Sequence, residues 1–334
     1  MSIVDGRVEG GPVRGVARRA ATSGPPSFHR RCLEMQQRYR RQVEAGQVDT
    51  VFAWTRDRVV RRRMLAGLGV RTAALWHETT ADGLTAGMLA EPCVVKNAGG
   101  ASAIGVYILD PPDEDGRWLN VRTGHRRSLD EIKAGMRETL RQYPHWPDRW
   151  HIEERMLPPD GRATITEYQV FVFGAYSGSP VVPLVRIYRA ENGRTHRGWV
   201  NERWQPVEDT GLPVSGTVDL PDDPAGVHAV AVRVASAIPL PFVRVDVWET
   251  IAGLAVGEVN DHYGGTERFW PGWDRYLGML WDLAEQEMEV STVERMRVEE
   301  PAPPPQDEDR PVPRMVAEPA PPPGGARRKR GGRR

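Results

Sequence analysis

Apolar positions recur along the chain with two periods, and the changes of period divide it. HRRCLEMQQRYRRQVEAG, residues 29–46, has helical spacing and stops at Gly46. TRDRVVRRRMLAGLGV, residues 55–70, reads as a second helix, with Thr55 as N-cap and Gly67 or Gly69 as the stop. EPCVVK and AIGVYILD are β-branched strands on either side of the small-residue loop NAGGAS, residues 97–102. SLDEIKAGMRETLRQY opens with a Ser128–Glu131 capping box and puts Leu129, Ile132, Met136 and Leu140 on one helical face. RWHIEERML predicts a strand, and ITEYQVFVFGAY and VVPLVRIYRA predict a hairpin around SGSP. DDPAGVHAVAVRVASAI predicts a helix capped by Asp222 or Asp223. The hairpin VRVDVWETIAGLAVGEVN follows at residues 243–260, and WDRYLGMLWDLAEQEM predicts a closing amphipathic helix. The order of elements indicates an α+β chain with mostly antiparallel sheets.

The two ends differ from this body. Residues 1–27 are rich in Gly, Arg, Ala and Pro with no periodicity, and the reading is a disordered tail. Residues 293–334 run through EEPAPPPQDEDRPVP to RKRGGRR, a Pro-rich and basic tail that blocks helix and ladder. Such a tail is either a solubilising end or a tether to an anionic polymer, a membrane surface or a partner protein. The body divides into an N-terminal helical part over 28–90, a small subdomain over 91–155 and a larger one over 156–292.

Composition narrows the class. The 334 residues carry 45 basic and 45 acidic side chains, so the body gives no reason to expect nucleic-acid binding. No apolar run reaches membrane-spanning length and no secretory h-region follows the first arginines. Two cysteines, Cys32 and Cys93, exclude a disulfide scaffold and fit a cytoplasmic setting.

The candidate chemistry lies in polar residues placed where core is expected. In the last hairpin, Val243, Val245 and Val247 share one face and Arg244, Asp246 and Trp248 the other. On the returning strand, Leu254, Val256, Glu258 and Asn260 share a face by alternation. A turn around Ile251–Gly253 brings Asp246 beside or diagonal to Glu258. Two carboxylates and an amide oxygen then suit Mg²⁺ or Mn²⁺, with Arg244 placed for a phosphate. The alternative is an Arg244–Glu258 cross-strand salt bridge at a wet edge. Upstream, Lys96 ends a strand just before Gly99 and Gly100, where backbone N–H groups can approach phosphates. The alternative there is an ordinary hairpin with a snorkelling lysine. Glu153 and Glu154, ahead of a proline-stopped linker, are candidates to meet an adenine amino group or a ribose. Neither a P-loop nor a strand–GxGxxG–helix dinucleotide motif is present.

With these pieces in order, residues from about 50 to 285 resemble the ATP-grasp superfamily, and within it the TupA-like proteins named for teichuronopeptide biosynthesis. The resemblance rests on Asp57–Arg58…Arg62, Val95–Lys96–Asn97…Gly99–Gly100, Ile152–Glu153–Glu154, Glu167–Tyr168–Gln169…Phe173–Gly174, Phe242 to Asp246, and Gly257–Glu258. Glu167 and Gln169 depart from the DYK element of that family, and Glu258–Val259–Asn260 matches the wider superfamily better than the subfamily. The resemblance implies two α+β subdomains clasping ATP. It implies a ligase that phosphorylates a carboxylate and passes the acyl group to an amine. It also implies Mg²⁺ on Asp246, Glu258 and Asn260, and Arg62 and Lys96 on the α- and β-phosphates. Arg244 would face the γ-phosphate, and Met156 would line the adenine slot. Glu167, His262, Gly264 and Gly265 are candidate substrate contacts. A kinase on the same fold, or a non-catalytic assembly factor for an anionic surface polymer, are the other readings.

Overall fold

The computed structural model describes residues 25–100, 103–191, 194–264 and 268–290. Residues 1–24 of the N-terminal tail and the whole C-terminal tail, 293–334, lie outside them. Among these residues six α-helices and eleven strands follow in the order α1 Phe28–Glu44, α2 Thr50–Arg56, α3 Arg58–Gly67, β1 Leu75–Thr79, β2 Cys93–Asn97, β3 Val106–Leu109, β4 Trp118–Asn120, β5 His125–Arg127, α4 Leu129–Gln142 and β6 Trp150–Glu154. Then come β7 Glu167–Phe173, β8 Val181–Glu191, β9 Arg194–Val200, α5 Pro224–Ser236, β10 Phe242–Thr250, β11 Gly253–Asn260 and α6 Pro271–Val290.

Two antiparallel sheets organise them. The first has strand order β1-β6-β2-β3-β4-β5, the second β11-β10-β7-β8-β9. On the first sheet, alternation buries Cys93, Val95, Leu109 and Ile152 on one face, in one core with Ile132 and Met136 of α4. The Ser128–Glu131 box closes the start of α4 in both directions, a contribution of about 1 kcal/mol. The opposite face carries Lys96, His151 and Glu153.

On the second sheet, Val243, Val245, Val247 and Val170 share a core with Val227, Ala231 and Val234 of α5. Phe28, Cys32, Phe52 and Leu65 from α1–α3 belong to this same core. Phe28 sits among the rings of Phe171, Phe173, Phe242, Tyr263, Phe269 and Trp281. The Asp274 carboxylate accepts from the His29 N–H at 2.7 Å, and Asp282 accepts from Arg31 Nε at 2.8 Å, tying α1 to α6. Gly278 permits the close approach: a Cβ there would lie 2.4 Å from the backbone nitrogen of Ser27.

Three expectations change. The stretch 55–70 is not one helix capped by Thr55. Asp57 is extended, ends α2 and caps α3, its carboxylate accepting from Val59 and Val60 N–H at 2.8 and 3.0 Å. Thr55 is buried inside α2, its hydroxyl donating to the Phe52 carbonyl at 3.3 Å. Alternation also fails on β11. Asp246 pairs with Glu258 and the next residue, Val247, pairs with Val256, so Gly257 is a bulge. Leu254 and Val256 therefore face the core, and Glu258 and Asn260 face the other way. Gly257 is required there, since a Cβ would fall 2.0 Å from Trp248 Cζ2. Finally, β1, β4, β5 and β9 were not anticipated. The strand β1 is mostly exposed, β4 and β5 have 3 residues each, and β9 begins RTHR.

Candidate active site

Residues directly opposite on antiparallel strands share a face. Arg244 stands opposite Asn260, and Asp246 opposite Glu258 on one side and Gln169 of β7 on the other. The bulge at Gly257 thus brings both carboxylates and the amide together. Arg244 grips Asp246 with two parallel bonds, Nε to Oδ1 and Nη2 to Oδ2, both 2.7 Å. Its remaining Nη1 donates to the Tyr263 carbonyl. Gly264, with φ +88, makes this possible, because a Cβ would sit 2.3 Å from Arg244 Nη1. Arg244 Nη2 is 3.7 Å from Glu258, so the arginine's main partner is Asp246 on its own strand and not the cross-strand glutamate.

Asp246 and Glu258 differ sharply in surroundings. The Asp246 side chain is 1% exposed and that of Glu258 41%. Burial pushes the Asp246 carboxyl up to about 8, against the pull of Arg244, and the neighbouring Glu167 adds to the rise. Glu167 is also held above the usual carboxylate range, by burial and then by Glu258. For Glu258, the loss of water to the surrounding protein raises the value although the side chain is partly open, but Arg61, Arg244, Arg58 and Lys96 outweigh it and bring it down to about 2. Two of these cations, Arg58 and Arg61, come from α3, and Lys96 comes from β2. The polar faces of the two sheets therefore meet across a cleft.

On the first sheet, Glu153 is the hub. Lys96 Nζ lies 2.5 Å from one of its oxygens and Arg62 donates to the other. Glu153 is 3% exposed, and Lys96 and Arg62 hold it below the usual range in spite of burial. Burial lowers the Lys96 ammonium, with Glu153 opposing. His151, beside them, is lowered by burial and by Arg62 and Arg58. Glu154 points elsewhere, accepting from Arg71 at 2.7 Å and from the Ala74 N–H at 3.2 Å. Both glutamates are thus ion-paired within the chain, which differs from their expected place as open contacts for a base or a ribose. Lys96 likewise is a paired, largely buried residue of β2 and not a free flap lysine.

The glycine loop is clasped from α3. Arg58 donates to the carbonyls of Asn97 and, at 2.9 Å, Gly100. The Asn97 side chain accepts from the Gly99 N–H at 2.9 Å and donates to Pro147 at 2.8 Å. A Cβ on Gly99 would come 3.0 Å from Pro147 Cδ, and one on Gly100 would come 3.2 Å from the Asn97 carbonyl. Met156 packs with Ala73 and Ala255, flanked by Trp248 and Ile165, in a small apolar cluster separate from both cores. His262 Nδ1 is 2.9 Å from the fully buried Asp261, which also binds Arg56 at 2.7 Å. Gly265 lies outside the described residues.

Sequence reasoning missed Arg61 as a site component and placed Arg58 and Gln169 only through the resemblance. The run RVVRRR contains both arginines but does not say which of them turn toward the cleft.

Among the described residues, no group of three or more His, Cys, Asp or Glu is arranged to hold a metal. A cation here would rest on two carboxylates and an amide oxygen, completed by water or phosphate. The donor set is all oxygen, as a hard divalent ion requires, and a cation would share the Asp246 oxygens that Arg244 now holds.

No family model and no curated protein matches the chain. Solved structures resemble it at low identity. The D-alanine-D-alanine ligase from Coxiella burnetii aligns at 16% identity with a TM-score of 0.44, over 72% of this chain and 60% of that one. D-alanyl-alanine synthetase A from Vibrio cholerae aligns at 15% and 0.46, over 78% and 74%. The L-amino acid ligase from Bacillus licheniformis aligns at 15% and 0.41, over 68% and 46%. The chain thus spans less than two thirds of the first of these.

Proposed function

We propose that the cleft is an ATP-grasp site that joins a carboxylate to an amine at the expense of ATP. The observation that carries this reading is the pairing of two unlike polar faces. One sheet presents Lys96, Arg62 and a glycine loop; the other presents Asp246, Glu258 and Asn260 around a fixed Arg244. Few tasks other than holding a polyanion through its charges need cations and carboxylates facing one another in one cleft.

In this reading Lys96 and Arg62 bind the α- and β-phosphates, with Glu153 as the counter-ion they keep when the cleft holds no nucleotide. The glycine loop, clasped by Arg58, borders the phosphates, with its Gly99 and Gly100 N–H groups held by Asn97 when no nucleotide is bound. The Met156 cluster offers an apolar seat for the base. Asp246, Glu258 and Asn260 would hold Mg²⁺, which supplies charge neutralisation on the transferring phosphoryl group. Arg244, locked by Asp246 and the Tyr263 carbonyl, is positioned to steady the same charge with no reorganisation. A substrate carboxylate oxygen attacks the γ-phosphorus and ADP leaves. An amine then attacks the acyl carbon and inorganic phosphate leaves, with one proton released from the nitrogen. The TupA-like elements point to an acceptor from surface-polymer or peptide assembly as the finer form of this reading.

The test is ADP and phosphate release with Mg²⁺–ATP and panels of carboxylic acids and amines. The expected result is equal ADP and phosphate, dependent on both substrates, with a product weighing one water less than their sum. Phosphate retained on a product would make the protein a kinase, and a failure to bind Mg²⁺–ATP by calorimetry would remove the reading altogether.

A further inference from the structure

A cavity of about 330 Å³ opens beside the cleft, at the low end of small-ligand sites. Its wall combines Arg56, Arg58, Arg149 and His151 with the apolar surfaces of Tyr39 and Val59. Lys96, Arg62, Glu153, Asp246 and Glu258 are not among its lining residues. His151, 3.8 Å from Glu153, marks its border with them, and Ala98 of the glycine loop forms part of its wall.

Among the described residues, two guanidinium groups in its wall, Arg58 and Arg149, have no carboxylate within hydrogen-bonding reach. Arg56 is matched by the buried Asp261 at 2.7 Å. Arg58 spends its hydrogen bonds on two neutral carbonyls, those of Asn97 and Gly100. Arg149 comes within 3.9 Å of Glu78, beyond hydrogen-bonding reach, and its side chain is 50% exposed. Asp57, the acid on the wall, already accepts two backbone N–H groups as the cap of α3. His151 sits 3.2 Å from Glu78, and burial with Arg62 and Arg58 keeps it from adding much charge of its own. The Tyr39 ring supports the Arg56 guanidinium at 4.7 Å and packs on Phe52 at 5.4 Å, so the apolar side of the cavity is rigid.

We propose that this cavity binds a small organic monoanion with a flat apolar body, its charge between Arg58 and Arg149 and its body against Tyr39 and Val59. Guanidinium pairs recognise planar anions through parallel N–H donors. The volume suits a small ligand, and the apolar wall disfavours a fully hydrated inorganic ion. The site stands whether or not the neighbouring cleft is a ligase.

The experiment uses the full chain without nucleotide. Benzoate, phenylacetate and N-acetyl-L-phenylalanine are titrated by calorimetry, each against its neutral amide. At least one acid should bind about tenfold or more tightly than its amide, the range expected of a charge-assisted hydrogen bond. Arg149→Gln, at a half-exposed position, should erase that preference. Val59→Trp, checked for a parental melting curve, should block acid and amide alike. Mg²⁺–ATP affinity should be the same in Arg149→Gln and parent, which keeps this test separate from the ligase reading. Equal binding of acids and amides, no binding of any acid, or retention of the preference in Arg149→Gln would overturn the proposal.

Discussion

Glu153→Gln tests the cleft most directly, because one carboxylate there holds two cations. Its side chain is 3% exposed, with Lys96 at 2.5 Å and Arg62 on its other oxygen. The amide keeps the size and removes the charge, leaving both cations desolvated and unpaired. Breaking a buried pair in this way costs about 3–5 kcal/mol. For a body of this size each kcal/mol moves the melting temperature by roughly 2–4 °C, so the variant should melt roughly 6–20 °C lower. The sign of the pH dependence follows from Glu153 lying below the usual carboxylate range when folded. Its stabilisation is fully present above the unfolded glutamate value and is lost as pH falls through the folded one. The gap between parent and variant should therefore be full at neutral pH and close in acid. A triphosphate supplies the missing anion, so Mg²⁺–ATP should raise the melting temperature of the variant more than that of the parent. Thermal melts by circular dichroism, with and without nucleotide, read all three. A variant that melts with the parent at neutral pH, or an equal gain from ATP in both, would refute the hub.

Glu258→Gln should remove most Mg²⁺-dependent ATP turnover and change stability by less than about 1 kcal/mol, since that side chain opens to solvent; full turnover in an ADP-release assay would disprove the metal role. With no divalent ion, the carboxyl of Asp246, raised to about 8, contributes stability that is present below the ordinary aspartate range and lost as pH climbs through about 8. Melts between mildly acidic and mildly alkaline pH should fall with pH in chelator and flatten in Mg²⁺; a flat profile in chelator would contradict the crowding described. Gly257→Ala should cost about 1–3 kcal/mol by overpacking against Trp248, read as a lower urea midpoint, and an unchanged midpoint would mean that the bulge has room.

The hairpin was legible in the sequence because period-two alternation is strict on its first strand, where Val243, Val245 and Val247 face the core. It was not legible on the second strand. A bulge is one extra residue, and only the glycine at 257 marks it, so alternation run through that point assigns Leu254 and Val256 to the wrong face. The helical stretch 55–70 hid a break for a similar reason: Asp57 is a good cap and also an ordinary helix residue, and only its extended backbone separates the two roles. Lys96 and its glycines were found through local composition. The partner of Lys96 is 57 positions away on β6, and no local pattern tells an ion-paired Glu153 from one open to a ligand.

The seating of Phe28 also bears on the order in which the chain takes shape during synthesis. Every ring around it belongs to residues made far later, and the Asp274 that receives the His29 N–H is 245 positions downstream. The helix α1 therefore leaves the ribosome with Phe28 uncovered, and its ring of neighbours is complete only when Trp281 of α6 has been translated. Contacts so distant in sequence form late, and exposed stripes invite chaperones and proteases in the interval. A message truncated at the start of α6 would release a chain whose earliest helix lacks the Asp274, Trp281 and Asp282 side of its seat.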